Sequence, residues 1–272
     1  MEEVNKSGIV ITVFSTASAV GKTLLSINMG AELARNGFRV CVVDLDLQFG
    51  DVCNFLHLAP EKTIFDVQQA MEKKETDFWA EDFVTPYSDG EIEFSVMAAP
   101  VRLEEAYNIK TVAVTAMMAQ LRPRYDYLIL DTTAAFSELN LAVMDFSTII
   151  TFLGIVDFIP TIKNMKVGYD TMRSIGYEKD KIRLVLNRSN SKTRIELQDV
   201  EQLLEEKFYH VLPNDFAAAS RSIQKGTPLV FDQEDTALAA GLEELVDKYT
   251  NHLFGRTRPP RNRSSWVSRL FK

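Results

Sequence analysis

The stretch from Ile9 to Leu25 reads IVITVFSTASAVGKTLL. Its first six residues are apolar or β-branched, which is typical of a strand buried on both faces of a parallel sheet. Helical periodicity begins at Lys22 and runs to Asn36, just before Gly37, a residue type that often ends helices. The stretch therefore predicts a strand, a turn and a helix, which together form the first unit of an α/β fold.

Five further apolar runs follow, separated by segments with helical periodicity. They are VCVVDL (40–45), FSVMAA (94–99), YLILD (127–131), IITFLG (149–154) and IRLVLN (182–187). This alternation predicts a doubly wound, mostly parallel sheet with helices on both faces. The acidic segment 71–90 reads as a surface excursion between the second and third strands.

Composition narrows the classes of partner and compartment. The net charge of −8 and the pI near 5.1 argue against a protein that coats nucleic acid through phosphate contacts. We therefore expect no specific nucleic-acid partner. Cys41 lies in an apolar run, which predicts a buried structural thiol, and the three histidines have no metal-ligand spacing. Because no signal peptide or membrane-spanning run is evident, we expect a cytoplasmic protein.

Gly21, Lys22 and Thr23 match the end of the phosphate-binding pattern G-x-x-x-x-G-K-[ST], although Thr16 occupies its first glycine position. The tripeptide alone arises by chance in unrelated chains. Its place between a strand and a helix gives it weight, since amides at a helix start can face a polyphosphate. In this interpretation Lys22 holds the β and γ phosphates, and the Thr23 hydroxyl ligates Mg²⁺.

Carboxylates follow two of the other predicted strands. Asp44 and Asp46 follow one apolar run, and Asp131 ends another. Each is explicable by itself as a cap at a strand end. Together with the GKT tripeptide they favour a site for a triphosphate and a divalent cation.

These motifs, in this order, resemble the MinD/ParA group of deviant Walker A ATPases, which are P-loop NTPases. The matching stretches are GKT, DLDLQFGD (44–51), YDYLILDT (125–132), VLNR (185–188) and LPND (212–215). Three stretches are more similar to the CpaE/TadZ branch, which helps to assemble Tad/Flp-type pili: FSVMAAPVRLEEA (94–106), DLDLQFGDV (44–52) and RSIQKGTPLV (221–230).

The resemblance implies roles for the matching residues. Asp46 orients the attacking water and acts with Lys22 in catalysis, whereas Thr23, Asp44 and Asp131 serve the magnesium ion. Asn187 reads the adenine edge, for which a cap after a strand is the alternative. The implied ATP-binding residues are Ser18, Ala19, Val20, Gly21, Lys22, Thr23, Leu24, Asn187, Arg188, Pro213 and Asn214.

The sequence departs from the family pattern in the turn before Gly21. Where the family has a lysine that reaches across a dimer to the partner's nucleotide, this chain has Ala17, and Ser18 and Ala19 replace two glycines. Alanine supplies no cation to the transferring phosphoryl group. We therefore expect ATP binding with weak or no hydrolysis. The turn after Asp131, DTTAAF, also differs from that of the family.

We expect a nucleotide-binding domain over residues 1–255 and a basic linker with an amphipathic tail over 256–272. The tail contains six basic residues, no acidic ones and a Pro-Pro pair. It ends on four apolar residues that share one side of a helix: Trp266, Val267, Leu270 and Phe271. Residues 264–272 therefore suit the inner surface of the cytoplasmic membrane, with partner docking or no role as alternatives.

The leading functional hypothesis is a nucleotide-dependent localisation or assembly factor that forms an ATP-dependent homodimer and contacts a membrane or pilus-assembly proteins. The alternative is an active ParA-type ATPase that positions cargo on DNA or membrane. A third class is a small-molecule kinase or a metal-cluster carrier that shares the P-loop fold. Cys41 and Cys53 suggest no cysteine pair at a dimer interface, which argues against the carrier.

Overall fold

The strands form one sheet in the computed structural model, which describes residues 7–73, 78–189 and 195–251. They are β1 Ile9–Phe14, β2 Val40–Asp44, β3 Thr85–Asp89, β4 Ile92–Met97, β5 Tyr127–Asp131, β6 Ile149–Gly154, β7 Ile182–Ser189 and β8 His210–Pro213. Their spatial order is β3-β4-β2-β5-β1-β6-β7-β8. All neighbours pair in parallel except β3 and β4, which are antiparallel.

Eleven α-helices lie in the described ranges, with a 3₁₀ turn at Ala80–Phe83. The helices are α1 Lys22–Arg35, α2 Val52–Phe55, α3 Ile64–Glu72, α4 Leu103–Tyr107, α5 Thr111–Leu121, α6 Glu138–Phe146, α7 Ile159–Ser174, α8 Leu197–Leu204, α9 Phe216–Lys225, α10 Leu229–Asp232 and α11 Ala237–Tyr249. None of these has both the length and the apolar character needed to cross a bilayer.

Successive strand residues bury opposite faces of the sheet, as the pleat requires. Ile11 and Val42 pack in a cluster with residues of α1 and α11. Val10 and Cys41 pack in another cluster with residues of α3 and α5. Helices therefore cover both faces, which confirms the predicted fold class, and Cys41 is fully buried as expected.

The expectation for segment 71–90 was wrong in its last part. Residues Thr85–Asp89 form β3, which pairs with β4 across a turn at Gly90, where φ is +62°. Only Tyr87 of this strand is buried, so its sequence carries too little apolar alternation to predict a strand. Pairing with β4 supplies the backbone hydrogen bonds that the local sequence did not indicate.

The tail at 256–272 lies outside the described residues. The described chain closes with α11, which packs along α1 and β8. The parallel strands end at one common edge of the sheet, and the loops that leave this edge carry the predicted site residues.

Candidate functional site

A cleft of about 940 Å³ opens at the carboxyl edge of the sheet. Six chain segments border it: the segments that follow β1, β2, β5 and β8, the end of β7, and the start of α11 at Leu238. Ligand clefts in open α/β sheets form at this edge, and the volume suits a ligand of nucleotide size. The topology thus brings together residues that are separated by nearly 200 positions in the chain.

The phosphate loop, residues 15–22, bends through two residues with left-handed backbone. Gly21 has φ of +97° and directly precedes α1, while Ala19 has φ of +57°. Ser18 is not among the described non-glycine residues with positive φ. One of the two glycine replacements therefore occupies a conformation that disfavours a Cβ atom, at a cost of about 1–2 kcal/mol.

The end of β7 braces this loop. Asn187 Nδ2 donates to the Val20 carbonyl at 2.8 Å, and Arg188 Nη2 donates to the Ala19 carbonyl at 2.7 Å. A Cβ atom at Gly21 would lie 2.7 Å from Asn187 Nδ2, so this position requires glycine for its space as well as its φ. The Asn187 amide thus faces the loop, and its role toward adenine remains a prediction.

The first glycine position of the pattern, Thr16, is accommodated by a glycine on a helix. A Cβ atom at Gly168 of α7 would lie 2.3 Å from Thr16 Cγ2. The bare backbone of α7 leaves the volume that the Thr16 methyl group fills. The threonine in the loop and the glycine in the helix are therefore a matched pair.

The two strand-end carboxylates are neighbours across β2 and β5, where Asp44 lies in register with Asp131. Asp131 Oδ2 accepts a hydrogen bond from Thr23 Oγ1 at 2.7 Å, and Oδ1 accepts one from Ser26 Oγ at 3.0 Å. Asp44 accepts from the backbone amides of Asp46 and Val52, at 3.2 and 3.0 Å. The predicted magnesium residues thus adjoin one another behind Lys22.

Burial dominates the electrostatics of this pair. It raises the pKa of Asp131 to about 6, against the opposing effects of the Thr23 hydrogen bond and the charge of Lys22. It also raises the pKa of Asp44 well above its ordinary range, and the charge of Asp131 adds to this shift. Two buried, repelling carboxylates beside a threonine hydroxyl are oxygen ligands that suit a hard divalent cation.

No set of three or more His, Cys, Asp or Glu side chains within residues 7–73, 78–189 and 195–251 is arranged to hold a metal by itself. Mg²⁺ at nucleotide sites usually keeps several waters and takes one or two carboxylates together with phosphate oxygens. The donors present, Thr23 with Asp131 and Asp44, fit that form of binding.

The structure places the remaining predicted residues as follows. Asp46 lines the cleft on the loop after β2, and its Oδ1 accepts from the Phe49 amide at 3.3 Å. Val20, Asp44 and Asp131 are buried behind the wall. The other predicted residues line the cleft: Ser18, Ala19, Gly21, Lys22, Thr23, Leu24, Asn187, Arg188, Pro213 and Asn214.

Several lining residues escaped the sequence reasoning. Phe49 and Phe216 are 71% and 75% exposed at the cleft. Phe49 lies within the stretch DLDLQFGD (44–51) and Phe216 directly follows LPND (212–215), so their positions could have singled them out. Thr133 and Asn140, which follow β5, also line the cleft. They are seven residues apart and pair across the turn between β5 and α6, and no sequence motif marks this pairing.

Comparison with known proteins agrees with this geometry. The chain is 24% identical to an uncharacterized ATP-binding protein of Methanocaldococcus jannaschii, over 97% of this chain and 96% of that protein. It is 27% identical to the septum site-determining protein MinD of a Synechocystis species, over 83% of each chain. Its fold matches the structure of MinD from Pyrococcus horikoshii complexed with Mg-ADP, with a TM-score of 0.78, 18% identity and coverage of 93% of this chain and 100% of that one.

The family assignment rests on the greater part of the chain. Residues 11–229 match the CobQ/CobB/MinD/ParA nucleotide binding domain, a range that includes most of β1, the phosphate loop and the strand-end carboxylates. The chain therefore belongs to the CobQ/CobB/MinD/ParA nucleotide binding domain family.

Proposed function

We propose that this protein binds ATP with Mg²⁺ in the cleft and acts as a nucleotide-dependent, dimeric localisation or assembly factor with weak or no ATP hydrolysis. The observation that carries the proposal is the contact between Thr23 and Asp131, which joins the start of α1 to the end of β5. Together with Lys22 and Asp44, this contact places an ammonium, a hydroxyl and two carboxylates at one end of the cleft.

In this proposal Lys22 and the amides at the start of α1 hold the phosphates, because a helix start concentrates donors and positive potential. The Thr23 hydroxyl would ligate a magnesium ion, and the carboxylates of Asp131 and Asp44 would support it. When bound, the ion neutralises charge on the phosphates. Pro213 and Asn214 line the end of the cleft where the base would be bound. Asn187 lies beside the phosphate loop.

Weak hydrolysis is proposed because of Ala17. A cation supplied across an interface to a transferring phosphoryl group contributes about 10³ to 10⁵ in rate in enzymes that use one. Ala17 packs against the apolar cluster of β1 and α1, and its methyl group supplies no charge. Binding and turnover therefore separate: the groups that hold the nucleotide are present, whereas the group that accelerates transfer is absent.

The finer assignments are proposals of the same kind. The stretches 94–106 and 221–230 support the CpaE/TadZ branch and a role in assembling Tad/Flp-type pili. Ala17, Ser18 and Ala19 face the cleft mouth or the core beside it, where a second copy would meet the nucleotide. Residues 264–272 are proposed to attach the dimer to the cytoplasmic membrane, since two weak anchors reinforce each other.

Calorimetric titration of the purified chain with ATP and Mg²⁺ tests the binding claim. We expect one site for each chain, with affinity lost in Lys22→Ala and retained in Lys163→Ala, which removes an exposed lysine of α7 away from the cleft. Absence of binding to the unaltered protein at millimolar ATP would overturn the proposal.

Phosphate release tests the claim of weak hydrolysis. We expect background rates for the native chain and a clear gain in Ala17→Lys, which restores the missing cation. Rapid release by the native chain that Asp46→Ala abolishes would contradict this claim alone. Co-sedimentation with anionic liposomes, compared with a chain ending at residue 255, tests the membrane contact separately.

A further inference from the structure

Thr133 lies in the loop after β5, two residues beyond Asp131. Two residues span at most about 7 Å of chain, so Thr133 remains close to the carboxylate that contacts Thr23. Thr133 lines the cleft together with Lys22 and Thr23. It therefore lies at the end of the cleft where the proposed magnesium ion and the terminal phosphate would be bound.

The two adjacent threonine hydroxyls point in different directions. Thr132 is 1% exposed, and its Oγ1 donates to the Val13 carbonyl of β1 at 2.8 Å. Thr133 is partly exposed and faces the cleft. The first hydroxyl is thus used to hold β5 against β1, while the second is presented to a ligand.

Asn140 of α6 fixes the position of the Thr133 hydroxyl. This side chain is 1% exposed, and its Nδ2 donates to Thr133 Oγ1 at 2.9 Å and to the Ala135 carbonyl at 2.6 Å. The Thr133 carbonyl lies 3.2 Å from the same nitrogen. Because carbonyl oxygens can only accept, these contacts fix which end of the amide faces the loop.

The Thr133 hydroxyl proton is available for a hydrogen bond to a ligand. The oxygen accepts from Asn140, and among the hydrogen bonds of the described residues it donates to none. A hydroxyl carries one donor and two acceptor lone pairs, and Asn140 already occupies one of the acceptor positions here. The partner it suits is therefore an acceptor, preferably an anionic oxygen, since hydrogen bonds to charged groups are the stronger ones.

We propose that the Thr133 hydroxyl donates a hydrogen bond to the terminal phosphate of bound ATP, and that Asn140 is the positioning residue that holds Thr133 there. This inference rests on the proposed function. ADP lacks the phosphate group concerned, so the contact forms with ATP only. It connects the terminal phosphate to α6 through Asn140, whose backbone amide also donates to the hydroxyl of Ser137, the residue before α6, at 3.2 Å. The contact thereby gives ATP and ADP different effects on α6.

The test is calorimetric titration of the full chain with Mg²⁺ and either AMP-PNP or ADP. In Thr133→Val, which keeps the shape and removes the donor, we expect affinity for AMP-PNP to fall about 10- to 100-fold. Affinity for ADP should change by less than about twofold. Thr133→Ser, which retains the hydroxyl, should recover most of the lost affinity. Asn140→Leu, which removes the side chain that positions Thr133, should also reduce the ratio of AMP-PNP affinity to ADP affinity.

Thr171→Val, which removes a hydroxyl bonded within α7, is the matched control and should leave both affinities unchanged. If Thr133→Val is insoluble, Thr133→Ala replaces it. The inference is overturned if both nucleotides weaken equally, if neither weakens, or if Thr133→Ser behaves like Thr133→Val. If the unaltered chain binds neither nucleotide, the proposed function fails first, so the two failures are distinguishable.

Discussion

Arg188 Nη2 donates a hydrogen bond of 2.7 Å to the carbonyl of Ala19, and this contact holds the one non-glycine residue of the phosphate loop that has left-handed backbone. Arg188 itself has φ of +55°, so both partners occupy a conformation that L-residues disfavour. Tertiary contacts must supply the free energy that keeps such residues in place. The hydrogen bond from Arg188 therefore helps to hold Ala19 in a left-handed conformation that a glycine would adopt without this penalty.

Replacing Ala19 with glycine should stabilise the protein. Ala19→Gly removes the Cβ atom that disfavours a φ of +57°, which should raise the free energy of unfolding by about 1 kcal/mol. Chemical denaturation measures this change. Ser18→Gly is the control, since Ser18 has no positive φ and a glycine there only adds freedom to the unfolded chain. An equal gain in both variants would show that backbone conformation is not the cause.

Thr16 and Gly168 should be energetically coupled. Gly168→Ala places a methyl group against Thr16 Cγ2, which should cost about 1–3 kcal/mol of stability. Thr16→Ala removes the opposing methyl group, so the double variant should recover a large part of that loss. A double-mutant cycle measured by denaturation gives the coupling energy. A coupling energy near zero would mean that the helix shifts to accept the new side chain.

Asp131 should make the metal-free protein less stable as the pH rises. Its pKa is raised from 3.8 to about 6 by burial, so the folded state binds a proton that the unfolded state has already released. The contribution of Asp131 to stability should therefore be fully present below about pH 4 and be lost as the pH rises through 6. Asp131→Asn should remove this loss, which amounts to at most about 3 kcal/mol at neutral pH.

Denaturation in the presence of EDTA at several pH values provides the measurement. Asp180→Asn, at an exposed position outside the cleft, serves as the matched control. A pH profile that is the same in Asp131→Asn and in the native chain would refute the role of this carboxyl.

His210 should produce the opposite trend at mildly acidic pH. Burial and the charge of Lys248 lower the pKa of His210 below its ordinary 6.5, and Lys248 Nζ donates to its Nδ1 at 3.1 Å. Because the unfolded chain takes up a proton that the folded protein disfavours, stability should fall as the pH drops below 6.5.

His210→Gln should flatten this fall, and thermal melts between about pH 5 and pH 7.5 would show it. His57→Gln alters an exposed histidine and is the control. If both variants lose the same slope, the fall arises outside the packing of α11 on β8.

Local sequence patterns were enough to predict the class of fold and the edge of the sheet where the candidate site lies. The apolar runs that became β1, β2, β5, β6 and β7 are local signals, because a strand buried on both faces must be apolar throughout. Parallel strands end at one edge, so Gly21–Thr23 and the aspartates after β2 and β5 were predicted to meet there. Their register and burial are consistent with that expectation.

Contacts between residues far apart in the chain could be seen only in the tertiary structure. The polar strand β3 exists because β4 pairs with it, and Thr16 fits because Gly168, on a distant helix, leaves room. The brace from Arg188 likewise depends on β7 lying beside the phosphate loop. Hydrophobic periodicity shows which face of a helix or strand is buried, but it does not show which other element packs against that face. The contacts described here depend on that second element.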